Sequence, residues 1–512
     1  MPTFPTYSIK WNATGDTAAP IGSFLNFGVA GTKASDVLAF SISRGIGDVF
    51  TGLQPGECEI VLDNFAGAYS PANATSSYYN VLRPGVQVYI YGEVTGEVGA
   101  DLEHELFFGS IDEIRVRPEL DAPRQVTIRC RDGLKFLQDK TITTSMFISY
   151  NIGSLASAVL SLCNIRGDVG FSEFTQAVDD INDVTVFASF DRREALGVLQ
   201  EIAEAGGYKS YVDGAGVVRF RNRYFDQEGA AAASYNNFFS MDYARSDESV
   251  YNRIQITGQP RERSSSVSTL AWVTTPVEIT ASAGVGFFLT YLDPTNSEPV
   301  FADTMVLPVN SSDYTTNTQS GGGGTDRTAT TSASVTFFGG SAVCSLFNGS
   351  GDTVYLNKFQ VRGQPIQRKP NITVEVNDSS SQLVYGLKAF SFENNLIAEQ
   401  FFLEDYADFI RLRNREPSDA LSVVIRNDFS DIAGAVRMVS FELAQLIHIR
   451  EPDNLGINGL YSIRGLEHSV QFNEAGWIHE VKLDLDAFRD QKNLILDHAT
   501  FGVLDGDRQL GF

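Results

Sequence analysis

Residues Glu57–Leu62, Glu-Cys-Glu-Ile-Val-Leu, alternate polar and apolar side chains. A period of two puts one face in a core and the other in water, which marks an antiparallel strand. The alternation recurs at Val86–Tyr91 (VQVYIY), Ile111–Val116 (IDEIRV) and Gln125–Cys130 (QVTIRC). Turn chemistry separates these runs: Asp63-Asn64, Arg83-Pro84-Gly85 and the Glu-Leu-Asp-Ala-Pro at 119–123. Residues 1–135 are therefore expected to form an antiparallel β-barrel or sandwich.

Working outward, residues 136–248 read as a small α+β domain. Ile152, Leu155, Val159 and Leu162 or Cys163 fall at helical spacing. A second helix has Asp191 as its expected cap, Glu194 three residues on, and a stripe of Leu196, Leu199, Ile202 and Ala203. Gly206-Gly207 should end it. Lys209–Val212 and Val217–Phe220 then flank Asp213-Gly214-Ala215-Gly216, a hairpin signal. A further strand is expected at 249–261. Residues 262–365 shift to Thr, Ser, Gly, Phe and Val and read as an inserted β-sandwich, with linker turns at Gly258-Gln259-Pro260 and Arg362-Gly363-Gln364-Pro365. Residues 366–418 hold a strand and a helix with Phe402, Tyr406, Phe409, Ile410 and Arg413 along one face, stopped at Pro417. Strands return at 419–490, and 491–512 reads as a tail. The fold class is thus mainly β with an α+β middle. No repeat of fixed period appears, yet the first and last β-regions could be two copies of one fold.

The 512 residues carry 39 Lys plus Arg against 63 Asp plus Glu, a net charge of −24. That sign argues against a nucleic-acid binder that works by neutralising phosphates. It does not exclude a surface that DNA must pass without sticking. Four scattered cysteines, Cys58, Cys130, Cys163 and Cys344, form no CxxC pair and read as buried thiols of a reducing compartment. The opening residues lack a secretory pattern, and the purest apolar stretch, Leu155–Cys163, falls well short of the ~18 residues of a membrane span. No membrane-spanning segment is expected.

Enzyme motifs are missing: no HExxH, GxSxG or GxxxxGK[ST]. The five histidines lack metal-ligand spacing, and His468 and His479, on adjacent predicted strands, read as a cross-strand polar pair. The acids at Asp179-Asp180 with Asp183, and at Asp101, Glu103 and Glu105, do not match a calcium loop. No enzyme activity, cofactor or metal is expected. Aromatic doublets such as Phe107-Phe108 and Phe238-Phe239 place one ring on each face of a strand, suiting a chain that packs on both sides.

Certain residues carry a resemblance. Gly56–Asn64, then Gly67-Ala68-Tyr69-Ser70-Pro71, then Leu82-Arg83-Pro84-Gly85, resemble the opening barrel of tailed-phage baseplate hub and minor tail proteins. Phe107–Asp112 is similar to that family's F-x-G-x-I strand, and Cys130-Arg131-Asp132-Gly133-Leu134 to the close of its barrel. Val250–Ile254 is similar to the family's strand that re-enters the core, which implies that 249–261 returns to the first core, and Tyr385-Gly386, Leu446–Arg450, Gly459-Leu460-Tyr461 and Gly465–His468 follow in the family's order. The resemblance implies two similar tube-like β-barrel hub domains per chain and a homotrimer. Its six barrels would adapt a sixfold tail tube to a threefold tip. It further implies a structural virion protein, made in the bacterial host cytoplasm. Its partners would be the tail tube or distal tail ring and other tail-tip, fibre or spike proteins, with DNA passing through unbound. Given the charge, loop acids are expected to line that channel: Glu93, Glu97, Asp101, Glu103 and Glu105 in the first barrel, and Glu442, Glu451, Asp453 and Glu474 in the second. The alternative expectation is a minor tail protein that binds host-surface carbohydrate or a receptor through the inserted sandwich.

Overall fold

The computed structural model describes residues 5–13, 24–30, 36–96, 103–117, 124–163, 176–178, 184–225, 233–427, 432–451, 455–473, 476–487, 493–494 and 509–510. Its largest element is a single thirteen-stranded sheet. The N-terminal strands are β1 (Pro5–Trp11), β2 (Leu25–Ala30), β3 (Val37–Gly45), β4 (Glu57–Asp63), β5 (Gln87–Val94), β6 (Glu103–Arg117) and β7 (Gln125–Arg131). Six more join from later in the chain: β8 (Ala233–Tyr235), β9 (Ser240–Ser246), β10 (Ser418–Arg426), β11 (Leu446–Glu451), β12 (Ile457–Asn473) and β13 (Gly476–Ala487). The order is β9-β10-β13-β12-β3-β4-β7-β6-β5-β1-β2, with β11 paired to β12 and β8 to β11. The protein is mainly β, as the alternation predicts.

Two long strands organise this sheet. β6 pairs with β5 along its first half and with β7 along its second, and its register shifts between Ile111 and Glu113. β12 pairs with β11 and then β13, with the same shift between Ile463 and Gly465. Each irregularity bends its strand so that one strand serves two sheet faces. With the two shifts aligned, β3, β4, β5, β6 and β7 correspond to β9, β10, β11, β12 and β13. Their inward residues match in kind: Ile60 with Val423, Leu62 with Ile425, Ile128 with Leu483, and Ile114 with Leu466. The ends of the chain therefore carry two modules of one strand order. The modules meet where β3 pairs with β12, Ile42 lying opposite His468 and Gly45 opposite Gly465. One buried core spans both, from Tyr7, Trp11 and Phe40 to Val423, Leu466 and Leu483.

A second core belongs to the α+β middle: α1 (Leu134–Asp139), α2 (Ile152–Leu162), α3 (Ala195–Gly206) and the hairpin at 209–221. The stripe of α3 is buried as expected, and Gly207 closes the helix at φ 67°. Asp191 does not cap it. Residues Arg193–Glu194 pair instead with Thr141–Ile142, which holds the chain extended until Ala195. The strand at Arg253–Gly258 does not return to the first core. It forms a three-stranded sheet with Ile372–Asn377 and Ala389–Asn394, and Ile254 and Ile256 pack in the second core with Leu403 and Tyr406 of α4 (Gln400–Asn414). Strands β8 and β9, from within the stretch read as α+β, join the large sheet.

The inserted unit has its own core between a six-stranded sheet built on Val354–Arg368 and a three-stranded sheet (Gly284–Thr290, Thr331–Phe337, Ser341–Asn348). The turn expected at 362–365 is in fact strand. Gly363 is small because Met305 and Leu270 pack where its Cβ would sit, not because the chain turns there. The insert's ends are adjacent: Lys369 N–H donates to Pro260 O at 2.8 Å.

Candidate functional site: the polar face of the large sheet

Every strand that points apolar residues into the first core points alternate residues the other way. Across β12, β3, β4, β7 and β6 these outward residues line a trough of about 610 Å³, including Glu467, Ser41, Ser43, Glu57, Glu59, Arg129, Arg131, Asp112 and Glu113. Register pairs opposite charges. Arg129 lies opposite Glu59 on one neighbour and Glu113 on the other, with contacts of 3.0 and 3.5 Å. Arg131 lies 3.5 Å from Glu57 and 3.4 Å from Asp112. Lys482, opposite Glu467, approaches it to 3.2 Å. Each base is held between acids, and carboxylates outnumber bases in the trough. Such exposed pairs add little stability. Their effect is electrostatic: among the described residues lining the trough, each cation is paired with an acid, and the remaining charge is negative.

Of the expected loop acids, five fall among the described residues, and none of these five lines the trough. Glu93 and Glu103 face each other across β5 and β6, on the face that carries Tyr89 and Tyr91 into the second core. Glu105 accepts from Tyr89 Oη at 3.1 Å. Burial pushes its carboxyl above the ordinary range, helped by the charges of Asp213, Glu103 and Glu442. Glu442 pairs with Arg44 at 2.7 Å and accepts from Gly214 N at 3.0 Å and Leu443 N at 2.7 Å. It is a joint between modules and hairpin. The hairpin reaches it because Gly214 has no Cβ to strike the Glu105 carbonyl. Glu451 accepts from Leu455 N at 2.8 Å. Glu97, Asp101, Asp453, Glu474 and the acids at 179, 180 and 183 lie outside the described residues. The structure thus gathers Glu103, Glu105 and Glu442 near the hairpin and leaves the trough to strand acids. Sequence reasoning missed those, although Glu57 and Glu59 are the polar half of the alternation that revealed the strand.

Beneath the seam between modules, Tyr7 Oη meets His479 Nδ1 at 2.7 Å, and His479 Nε2 meets His468 Nδ1 at 3.0 Å. Both rings are buried. Burial drives His479 down to about 3 and His468 well below its ordinary value, with the charges of His479 and Arg44 adding to the latter. They form a neutral polar pair, as expected. Among the described residues, no three His, Cys, Asp or Glu are grouped to hold a metal, and no helix is long and apolar enough to cross a membrane.

No family model and no curated protein matches the chain. Among solved structures it is similar to the 43 kDa tail protein of prophage MuSo2 from Shewanella oneidensis, at 10% identity and a TM-score of 0.46, covering 93% of this chain and 98% of that one. It is similar to a tail protein from Neisseria meningitidis MC58 at 9% identity and a TM-score of 0.46, covering 94% and 96%. It is similar also to prophage tail protein gp18 from Listeria monocytogenes EGD-e at 10% identity and a TM-score of 0.41, covering 93% and 94%.

Proposed function

We propose that the chain is a ring-forming structural subunit of a phage tail-tip hub, and that three copies close the ring. The strand pairing carries this reading. Within one chain, β3 of the first module pairs with β12 of the second. The strands that correspond to them, β9 and residues 111–117 of β6, sit at opposite ends of this arrangement, each with one edge unpaired among the described residues. A second copy docked by the same geometry sets β9 against β6, with Tyr243 opposite Val116 and Arg245 opposite Ile114. Phe239 and Tyr243, exposed beside this edge, would be covered. Such a head-to-tail contact closes into a ring when its rotation divides the circle. The sequence resemblance supplies the number three. Six modules would then meet a sixfold tube or distal tail ring on one side and a threefold tip, fibre or spike on the other.

In that ring the trough face turns inward. A wall whose bases are already clamped offers DNA no free cation. Its excess acid repels phosphates over about 8–10 Å at physiological salt. DNA slides rather than binds, and no reaction is assigned to the protein. The site of action is the virion, after synthesis in the host cytoplasm.

The test is a paired substitution, Tyr243→Cys with Val116→Cys. Oxidation should link chains into a covalent ring that runs on a denaturing gel at three times 56.0 kDa. Light scattering of the unmodified protein at micromolar concentration should give the same multiple. A stable monomer with no cross-link would end this reading.

A further inference from the structure

Two of the four cysteines face each other. Cys58 on β4 and Cys130 on β7 are direct cross-strand partners in the middle of the first module. Both are free thiols, buried at 2% and 1% exposure. Cys163 and Cys344 belong to the second and third cores and do not take part. The repeat sharpens the observation. At the corresponding place in the second module, Leu421 on β10 lies opposite Leu485 on β13. One module fills this position with an apolar pair, and the other with the one pair of side chains that can be joined covalently.

We propose that Cys58 and Cys130 are a redox-closable staple, held as a dithiol while the chain is made and joined as a cross-strand disulfide after it meets an oxidising environment. Directly opposed residues of an antiparallel pair fall within the Cα separation a disulfide spans. The oxidant must be small, because the pair is buried; a peroxide suffices. One thiolate attacks a peroxide oxygen, giving a sulfenic acid and one water. The second thiol then attacks that sulfur, forming the S–S bond and releasing a second water. Two thiols lose two electrons in all, and the peroxide O–O bond takes them. Burial beside Cys130 raises the Cys58 pKa well above its ordinary value, so little thiolate is present and closure is slow. The staple is a lock set after folding, not a folding aid. It ties the two strands whose backbones floor the trough. The inference stands on the strand pairing alone, independent of the proposed function.

The experiment uses the full chain with hydrogen peroxide at mildly alkaline pH, followed by acid quench, denaturation and thiol counting. The count should fall from four to two per chain, and peptide mapping should recover the segment around residue 58 joined to that around residue 130. Dithiothreitol should restore four. The thermal midpoint should rise on oxidation and return on reduction, because the link restrains the unfolded chain. Cys58→Ala should keep its three thiols under the same treatment. The mapping needs only the natural sequence, so a poorly folded variant does not spoil the test. Four surviving thiols would overturn the proposal. So would sulfinic acid at either position without a cross-link, or bonds from Cys58 or Cys130 to any other cysteine.

Discussion

The pair Arg44–Glu442 joins the two modules, and its two ends are not equally buried: 1% of the Arg44 side chain is exposed against 34% of Glu442. That asymmetry predicts which substitution is worse. Glu442→Gln leaves a guanidinium in the core without its paired carboxylate, its other hydrogen bond a 3.3 Å one to Val212 O. Removing one partner of a buried pair costs about 3–5 kcal/mol, and the lower half of that range applies because the pair is buried at one end only. Arg44→Met leaves a carboxylate that still reaches water and still accepts from Gly214 and Leu443, while the new side chain fills much of the old stem's volume. That should cost about 1–2 kcal/mol. Urea unfolding followed by the fluorescence of Trp11, buried in the shared core, reads both. The order should persist at high salt, since a charge held out of solvent is poorly screened. If Arg44→Met equals or exceeds Glu442→Gln, packing of the arginine stem governs the joint and the charge argument is wrong.

The histidine pair makes stability fall in acid. In the unfolded chain both rings titrate near 6.5, whereas His479 is held at about 3 when folded, so the unfolded state binds more protons between those values. The contribution is full above pH 6.5 and is lost as pH falls toward 3. His479→Gln should flatten the dependence of the urea midpoint on pH between 6.5 and 4, and an unchanged slope would count against this account. Gly214→Ala should cost about 1–3 kcal/mol by driving the hairpin off the Glu105 backbone. Gly197→Ala in α3, where a Cβ meets nothing within 4 Å, should stabilise by about 0.5–1 kcal/mol; equal effects would mean the hairpin gives way freely. Excising residues 261–368 and bridging Pro260 to Lys369 with a short Gly/Ser linker should leave a folded chain that still oligomerises, read by circular dichroism and light scattering. Loss of folding would make the insert part of the main core.

The strands were legible because each buries one face: the alternation at 57–62 and 125–130 gave β4 and β7 nearly to the residue, and that at 111–116 the second half of β6. The repeat was hidden because it is one of register and burial. Cys58 stands where the other module has Leu421, and the matched inward residues agree in kind rather than in identity. Pairing of β8 and β9 with strands nearly two hundred residues later is a tertiary choice that local pattern does not record. The helix α5 (Ile432–Ser440) escaped the reading as well. It lies across β1, β5 and β6, and it is admitted because Gly92 leaves room for Val439, whose Cγ1 would stand 2.8 Å from a Cβ there. The trough acids escaped notice for a related reason. Acid-rich loops attract attention by composition, while Glu57 and Glu59 look like the ordinary wet side of a strand until the sheet curves around them.

The single chain is an unfinished sheet. Among the described residues, its edges at β9 and at 111–117 of β6 present rows of unpaired backbone groups to any strand that passes, a hazard that a newly made chain carries from the moment it folds. Once a neighbour docks, the twist between adjoining strands sets the rotation from copy to copy. A few degrees of error per joint keep the last edge from finding the first, and the same contact then propagates as an open helical filament. In the proposed ring, the seam between β3 and β12 is already made within each chain and fixes every second joint in advance, halving the number that must be found by collision. Substitutions that alter twist near Gly45 or Gly465 should therefore appear as fibres in the electron microscope before they appear as unfolding.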